Sequence, residues 1–170
     1  MLAAAGVYPT NELMTAVTLL RVELPALRVR VVNVTDLLIL QTESFNPHGL
    51  TPEAFADLFT LDKPVVFNFH GYPVAVKQLL FHRPTFSRFQ INGYIEEGTT
   101  TTPFDLFVQN EASRYHVAMQ AVRAAAENNS KLAAQADHIV SRYEQKLIAH
   151  HDYIRKHGQD MPEIVNWKWT

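Results

Sequence analysis

Apolar and polar positions along this chain fall into short β-branched or apolar runs that alternate with stretches of helical period. Leu2 to Ala5 is an apolar run stopped by Gly6. After Tyr8-Pro9, Thr10 is the expected N-cap of a first helix, with Glu12 in its first turn near the positive end of the dipole. Leu13, Ala16, Val17 and Leu20 share one face of it, and Pro25 ends it. Val29, Val31, Val32 and Val34 predict a β-branched strand ending near Asp36. Leu37 to Leu40 reads as a short helix. Thr51-Pro52-Glu53 opens a helix with an N-cap, a proline in the first turn and an acid, and Ala54, Phe55, Leu58 and Phe59 form its apolar face.

The second half continues the alternation. Val65 to Phe69 is a strand, and Gly71-Tyr72-Pro73 turns into a helix with Val76, Leu79 and Leu80 inward. Phe89 to Ile95 is a strand with an interruption expected at Gly93. Thr99 to Thr102 is a loop, and Thr102-Pro103 repeats the cap-plus-proline start. Asn110 is read as the cap of the next helix, with Tyr115, Met119 and Val122 inward. Asn128-Asn129-Ser130 breaks that pattern, so Ala126 to Ser130 is the expected flexible joint. Leu132, Ala136, Ile139, Val140, Tyr143, Leu147 and Ile154 then mark one long amphipathic helix ended by Gly158. The alternation predicts an α/β fold, a three-layer sandwich with a mostly parallel sheet plus extra C-terminal helices. It fits a single domain over 1–170, with 131–170 as a long helix and tail packed on it.

The chain has 170 residues, a formal net charge of -2, 47% hydrophobic residues and no cysteine. Near-neutral charge gives no large field for nucleic acid or an anionic membrane. Without cysteine there is no disulfide, thiolate metal site or cysteine nucleophile, which fits a cytosolic protein. No apolar run approaches the roughly 18 residues of a membrane span. The start, Met1 to Gly6, lacks the basic region of a signal peptide and reads as a strand that begins abruptly, hinting at a piece of something larger.

In open parallel sheets ligands favour the C-terminal ends of the strands. Here those positions are Gly6, Asp36, His70-Gly71 and Glu96-Glu97-Gly98. They are either a site or simply caps and turns. Asn68, inside an apolar strand, needs hydrogen-bond partners and is expected to find them on a neighbouring loop. Glu96 and Glu97 are adjacent, so in a strand they point apart and make no acid/base pair. The threonine run is read as helix capping rather than an anion site. His138, His150, His151 and His157 lie on or near the last long helix without metal-chelating spacing. Trp167 and Trp169 are read as docking residues. No GxGxxG, GxxxxGK[ST] or GxSxG motif is present.

Several longer strings carry a family resemblance. Phe69-His70-Gly71-Tyr72-Pro73, Arg30-Val31-Val32-Asn33-Val34-Thr35-Asp36-Leu37, Pro47-His48-Gly49-Leu50, the stretch from Gly93 through Glu97 and the threonine run to Asp105, and Asn166-Trp167-Lys168-Trp169 resemble the C-terminal domain of phosphoketolases. The likeness runs from about Leu2 to the end. Val7 departs from the Gly-Asp-Tyr-Pro associated with the family at that turn.

The resemblance implies a transketolase C-terminal-domain-like fold. It places the chain in a three-domain, cytoplasmic subunit of a homo-oligomeric lyase. That lyase cleaves xylulose 5-phosphate or fructose 6-phosphate with phosphate to acetyl phosphate and an aldose phosphate. It implies thiamine diphosphate and magnesium in the parent enzyme, held between the first two domains. The Gly-Asp-Gly motif of that cofactor is not found in this chain. No catalytic or cofactor-binding residue is therefore expected here, and the isolated chain is expected to be inactive. The expected role is packing against the other two domains and completing the dimer. The alternative is a regulatory small-molecule pocket, for which Asp36, His70, Tyr72 and Glu97 are the candidates. An independent small enzyme or flavodoxin-like binding protein is the remaining reading.

Overall fold

The computed structural model describes residues 1–95, 98–127 and 129–168. Its centre is a four-stranded, all-parallel sheet in the order β2-β1-β3-β4, from β1 (Leu2–Ala5), β2 (Val31–Asn33), β3 (Val65–Phe69) and β4 (Phe89–Asn92). The register is continuous, with Leu2 beside both Val31 and Val66, and Asn68 beside Asn92. Parallel neighbours need crossovers. These are α1 (Val7–Glu23) between β1 and β2, α2 (Pro52–Phe59) between β2 and β3, and α3 (Pro73–Leu80) between β3 and β4. Beyond the sheet come α4 (Pro103–Gln109), α5 (Arg114–Ala126), α6 (Ser130–His157) and α7 (Pro162–Val165).

The period-2 alternation of the strands divides the core into two. Leu2, Ala4 and Val66 face α1, α5 and α6, where Leu13, Leu20, Val117, Val122 and Ile139 are buried. Ala3, Ala5, Val65 and Phe67 face the other way, onto Phe55, Phe59, Val76 and Leu80 of α2 and α3. This is the predicted three-layer α/β sandwich, with α6 packed against α5 as a further layer. Thr51 and Thr102 are the N-caps read from sequence, accepting hydrogen bonds from the Ala54 and Asp105 amides at 3.2 Å and 3.4 Å.

Four local expectations are corrected. The first helix starts at Val7 with Gly6 as its cap, because a proline is tolerated in the first turn. Thr10 therefore lies inside the helix and its hydroxyl donates back to the Gly6 carbonyl at 2.7 Å. Glu12 is then beyond the first turn and buried. The second strand is only Val31–Asn33, although the Val34 amide still donates to the Ala4 carbonyl at 2.8 Å. The fourth strand stops at Asn92, because Gly93 lies so close to the Gly71 carbonyl and Pro73 that no side chain fits there. Asn110 closes α4, and Ser113 opens α5 by accepting from the His116 amide. The expected joint falls between α5 and α6; Asn128 lies outside the described residues, and Asn129 caps α6 through the Leu132 amide.

Candidate functional site

The strand order reverses between β1 and β3, and in such sheets the crevice at the strand C-terminal ends is the usual ligand site. Here Gly6 and His70 approach each other closely across it. Gly6 has φ +102°, and a Cβ placed on it would stand 3.0 Å from the His70 Cβ. Only glycine serves there, because it tolerates positive φ and leaves room for His70. The His70 ring meets Tyr8 edge-on at 5.7 Å and Tyr94 at 6.4 Å, and Tyr8 lies 6.5 Å from Phe107. The result is a row of rings, Phe107–Tyr8–His70–Tyr94. Exposed neighbours in sequence extend it: Val7 is 73% exposed, Tyr72 54% and Ile95 49%, and Tyr8 itself is 60% exposed.

Of the four residues singled out in the sequence, His70 and Tyr72 share one strand-to-helix turn, with Tyr72 as the cap position of α3. Asp36 is engaged in its own turn, where its carboxylate accepts from the Leu38 amide at 2.8 Å. Among the described residues no hydrogen bond, ion pair or ring contact joins Asp36 to either of them. Glu97, like Glu96, lies outside the described residues.

Beneath the ring row lies a buried polar layer. Asn68 donates to the Ala112 carbonyl at 2.8 Å, the loop partner its position demanded. Asn92 donates to Asn68 Oδ1 at 2.8 Å and to Gln120 Oε1 at 2.7 Å. Gln120 in turn donates to the Glu111 carbonyl and to Asn92 Oδ1, both at 3.3 Å. Further along α1, Glu12 accepts from the Arg114 amide at 2.7 Å, from its Nε at 3.0 Å and from its Nη2 at 2.6 Å. The sequence reading missed Gln120, Glu12 and Arg114. A usable signal existed for Glu12, which stands one turn before Ala16 on the apolar stripe. These groups satisfy one another, so the layer braces the edge of the sheet and leaves few polar groups free to work on a ligand.

At the opposite edge of the sheet is a cavity of about 600 Å³ lined by Leu2, Leu27, Val29, Ala121 and Ala125 with a basic rim. Two of its cations are already engaged: Arg30 donates to the Asp57 and Leu58 carbonyls, and Lys63 to Asp62. Among the described residues no group of three or more His, Asp or Glu side chains is placed to hold a metal ion. Among the described residues, Asp36 is bonded within its own turn and Glu12 to Arg114, so neither carboxylate is free to hold thiamine diphosphate with magnesium. No helix among the described residues is long and apolar enough to cross a membrane.

Comparison with known proteins adds a second kind of observation. The family described as XFP C-terminal domain matches residues 1–169. A Brucella abortus protein named "Probable phosphoketolase" is 48% identical over 170 residues, which is 100% of this chain and 21% of that protein. A Bradyrhizobium diazoefficiens protein of the same name is 47% identical over 169 residues, and a Nostoc "Probable phosphoketolase 2" 44% identical over 169 residues, each with 99% of this chain and 21% of the relative covered. The chain thus spans about a fifth of the length of these curated relatives.

Proposed function

The chain belongs to the XFP C-terminal domain family, the C-terminal part of phosphoketolases, and from that premise we propose that it is a non-catalytic packing domain of a thiamine-diphosphate-dependent phosphoketolase. In this reading the parent enzyme cleaves xylulose 5-phosphate or fructose 6-phosphate with phosphate to acetyl phosphate and an aldose phosphate. The other two domains carry the cofactor and the chemistry. This domain docks on them and helps close the homo-oligomer.

The observation that carries the reading is the ring row at the strand C-terminal edge. It exposes Val7, Tyr8, Tyr72 and Ile95 above a polar layer whose groups are bonded to one another. Exposed aromatic and aliphatic residues held on a rigid base are what a docking face requires. A small-molecule regulatory role for Asp36, His70, Tyr72 and Glu97 draws support only from the rings around His70.

The test is acetyl phosphate formation. The purified chain, given xylulose 5-phosphate, phosphate, thiamine diphosphate and magnesium, is expected to give none, while the full-length Brucella abortus relative run alongside turns over. Turnover by this chain alone overturns the reading. In a longer enzyme carrying this domain, Tyr8→Asp is expected to weaken subunit or domain association, read by sedimentation. Unchanged assembly removes the docking face from the proposal.

A further inference from the structure

The segment Leu27-Arg28-Val29-Arg30 leads into β2 with alternating side chains. Leu27 and Val29 are half-buried and pack against the core on the α1/α5/α6 side, whereas Arg28 and Arg30 are exposed. Opposite them α5 presents Ala121, Ala124 and Ala125, three half-buried small residues on one helix face at spacings of three and four. The larger inward residues of the same helix, Val117 and Val122, are fully buried. Alanine methyls leave unfilled the space between this face and the N-terminal ends of β1 and β3, and a cavity of about 600 Å³ remains. Small-molecule sites span about 300–1,000 Å³ and are mostly apolar with a few placed polar groups.

The rim of the cavity is cationic. The side chains of Arg28, Arg30 and Lys63 stand there against a single carboxylate, Asp62. Lys63 is already paired with Asp62 at 2.7 Å, and Arg30 uses only Nη1, on the Asp57 and Leu58 carbonyls. Among the described residues Arg28 has no hydrogen bond or ion pair. A free guanidinium offers a planar fork that takes a carboxylate or phosphate through two parallel N–H bonds. Beside it the floor is hydrocarbon. Sugar hydroxyls set against Leu2, Leu27 and the alanines would lose water without gaining partners, so a polyhydroxylated phosphate does not suit the floor.

We propose that this cavity binds an amphipathic anion, an apolar body carrying one carboxylate or phosphate group. Arg28 holds the head group, and Ala121, Ala124 and Ala125 form the floor under the body. Burial of the body supplies most of the affinity, and the cationic rim supplies orientation and the choice of an anion. The site lies at the N-terminal ends of the strands, whereas the ring row lies at their C-terminal ends, so the proposal does not depend on the docking role given above.

Octanoate, octyl phosphate and 1-octanol are the ligands for the test, each titrated into the purified chain while NMR follows the alanine methyl resonances. Octanoate or octyl phosphate should shift Ala121, Ala124 and Ala125 saturably, and the tighter of the two names the head group. With the same apolar body but no charge, 1-octanol should bind at least about threefold more weakly. Inorganic phosphate and xylulose 5-phosphate should leave these methyls unmoved. Arg28→Gln should weaken the anion at least about threefold and leave 1-octanol unchanged. Arg21→Gln, at an exposed arginine of α1 that does not line the cavity, should change neither. Ala125→Leu should fill the cavity and abolish binding of all three. No saturable shift with either anion, equal affinity for 1-octanol, or unaltered binding in Arg28→Gln overturns the proposal. So does binding by this chain that disappears in a longer enzyme carrying the domain, because the cavity is then a seat for another part of that protein.

Discussion

The two faces of the sheet bury their charges in different ways. On the α2/α3 face the buried Arg83 and the half-buried Arg88 rest on backbone carbonyls. Arg83 donates through Nε to Leu40 at 3.0 Å and through Nη2 to Ile39, Gln41 and Leu50, while its guanidinium covers the Phe55 ring at 4.1 Å. Arg88 similarly grips the carbonyls of Phe59, Thr60 and Lys63. Burial lowers the pKa of both arginines, yet arginine keeps its charge throughout the accessible pH range. On the α1/α5/α6 face charge is met by charge, Glu12 with Arg114, and amide by amide, Asn68 with Asn92 and Gln120. Among the described residues, buried side-chain atoms without a hydrogen bond are found on this face at His150, Asp160 and the Tyr143 hydroxyl, and on the other face at Arg88 Nε. Carbonyl cages do not titrate, whereas carboxylates and imidazoles do. Sensitivity to pH and to side-chain loss should therefore gather on the second face.

The largest expected effect tests that contrast directly. Glu12→Ala leaves the Arg114 guanidinium buried without its counter-charge and should cost about 3–5 kcal/mol in urea unfolding. The double change Glu12→Leu with Arg114→Met should cost much less, because no orphaned charge remains. Equal losses in the single and double variants would show that the pair matters through packing alone. Next in size, Arg83→Met strips several carbonyls of their donor at once and should cost about 1–3 kcal/mol. The loss should be local, with faster exchange across residues 37–50 and no added pH dependence. A loss that grows between pH 7 and 5 would break the distinction between the faces. The smallest effect is at a helix start. Thr51→Ala removes the Ala54 cap and should cost about 1 kcal/mol at any pH from 5 to 8.

Legibility in the sequence follows the range of the interaction. The alternation of strands and helices and the Thr51 and Thr102 caps were readable because each is set within a few neighbouring residues, whereas the stop at Gly93, although expected from the glycine, is enforced by the sequence-distant Gly71 and Pro73. The start of α1 was misplaced because Thr10 carries a capping signal, and only the close approach of Gly6 to His70 sets the earlier turn. Asn68 could be expected to need a partner, since a buried amide must find one, but Ala112 as that partner could not be named. The candidate site was legible only as a location. His70 and Tyr72 do lie at the strand ends, while Asp36 turns away to its own loop.

By itself the sequence determined the α/β class, the parallel sheet and the family, because periodicity, caps and long ordered strings are properties of neighbouring residues. Tertiary structure alone decided that Gly6 and His70 meet closely at the switch point, that Glu12 meets Arg114 across 102 positions, and that the segment after Gly158 folds back along α6, where Asp160 reaches His150 and Glu163 reaches Lys146. Those outcomes depend on which surfaces the packed layers bring within about 3 Å of each other, the range over which a hydrogen bond forms and a buried charge is either paired or left costly.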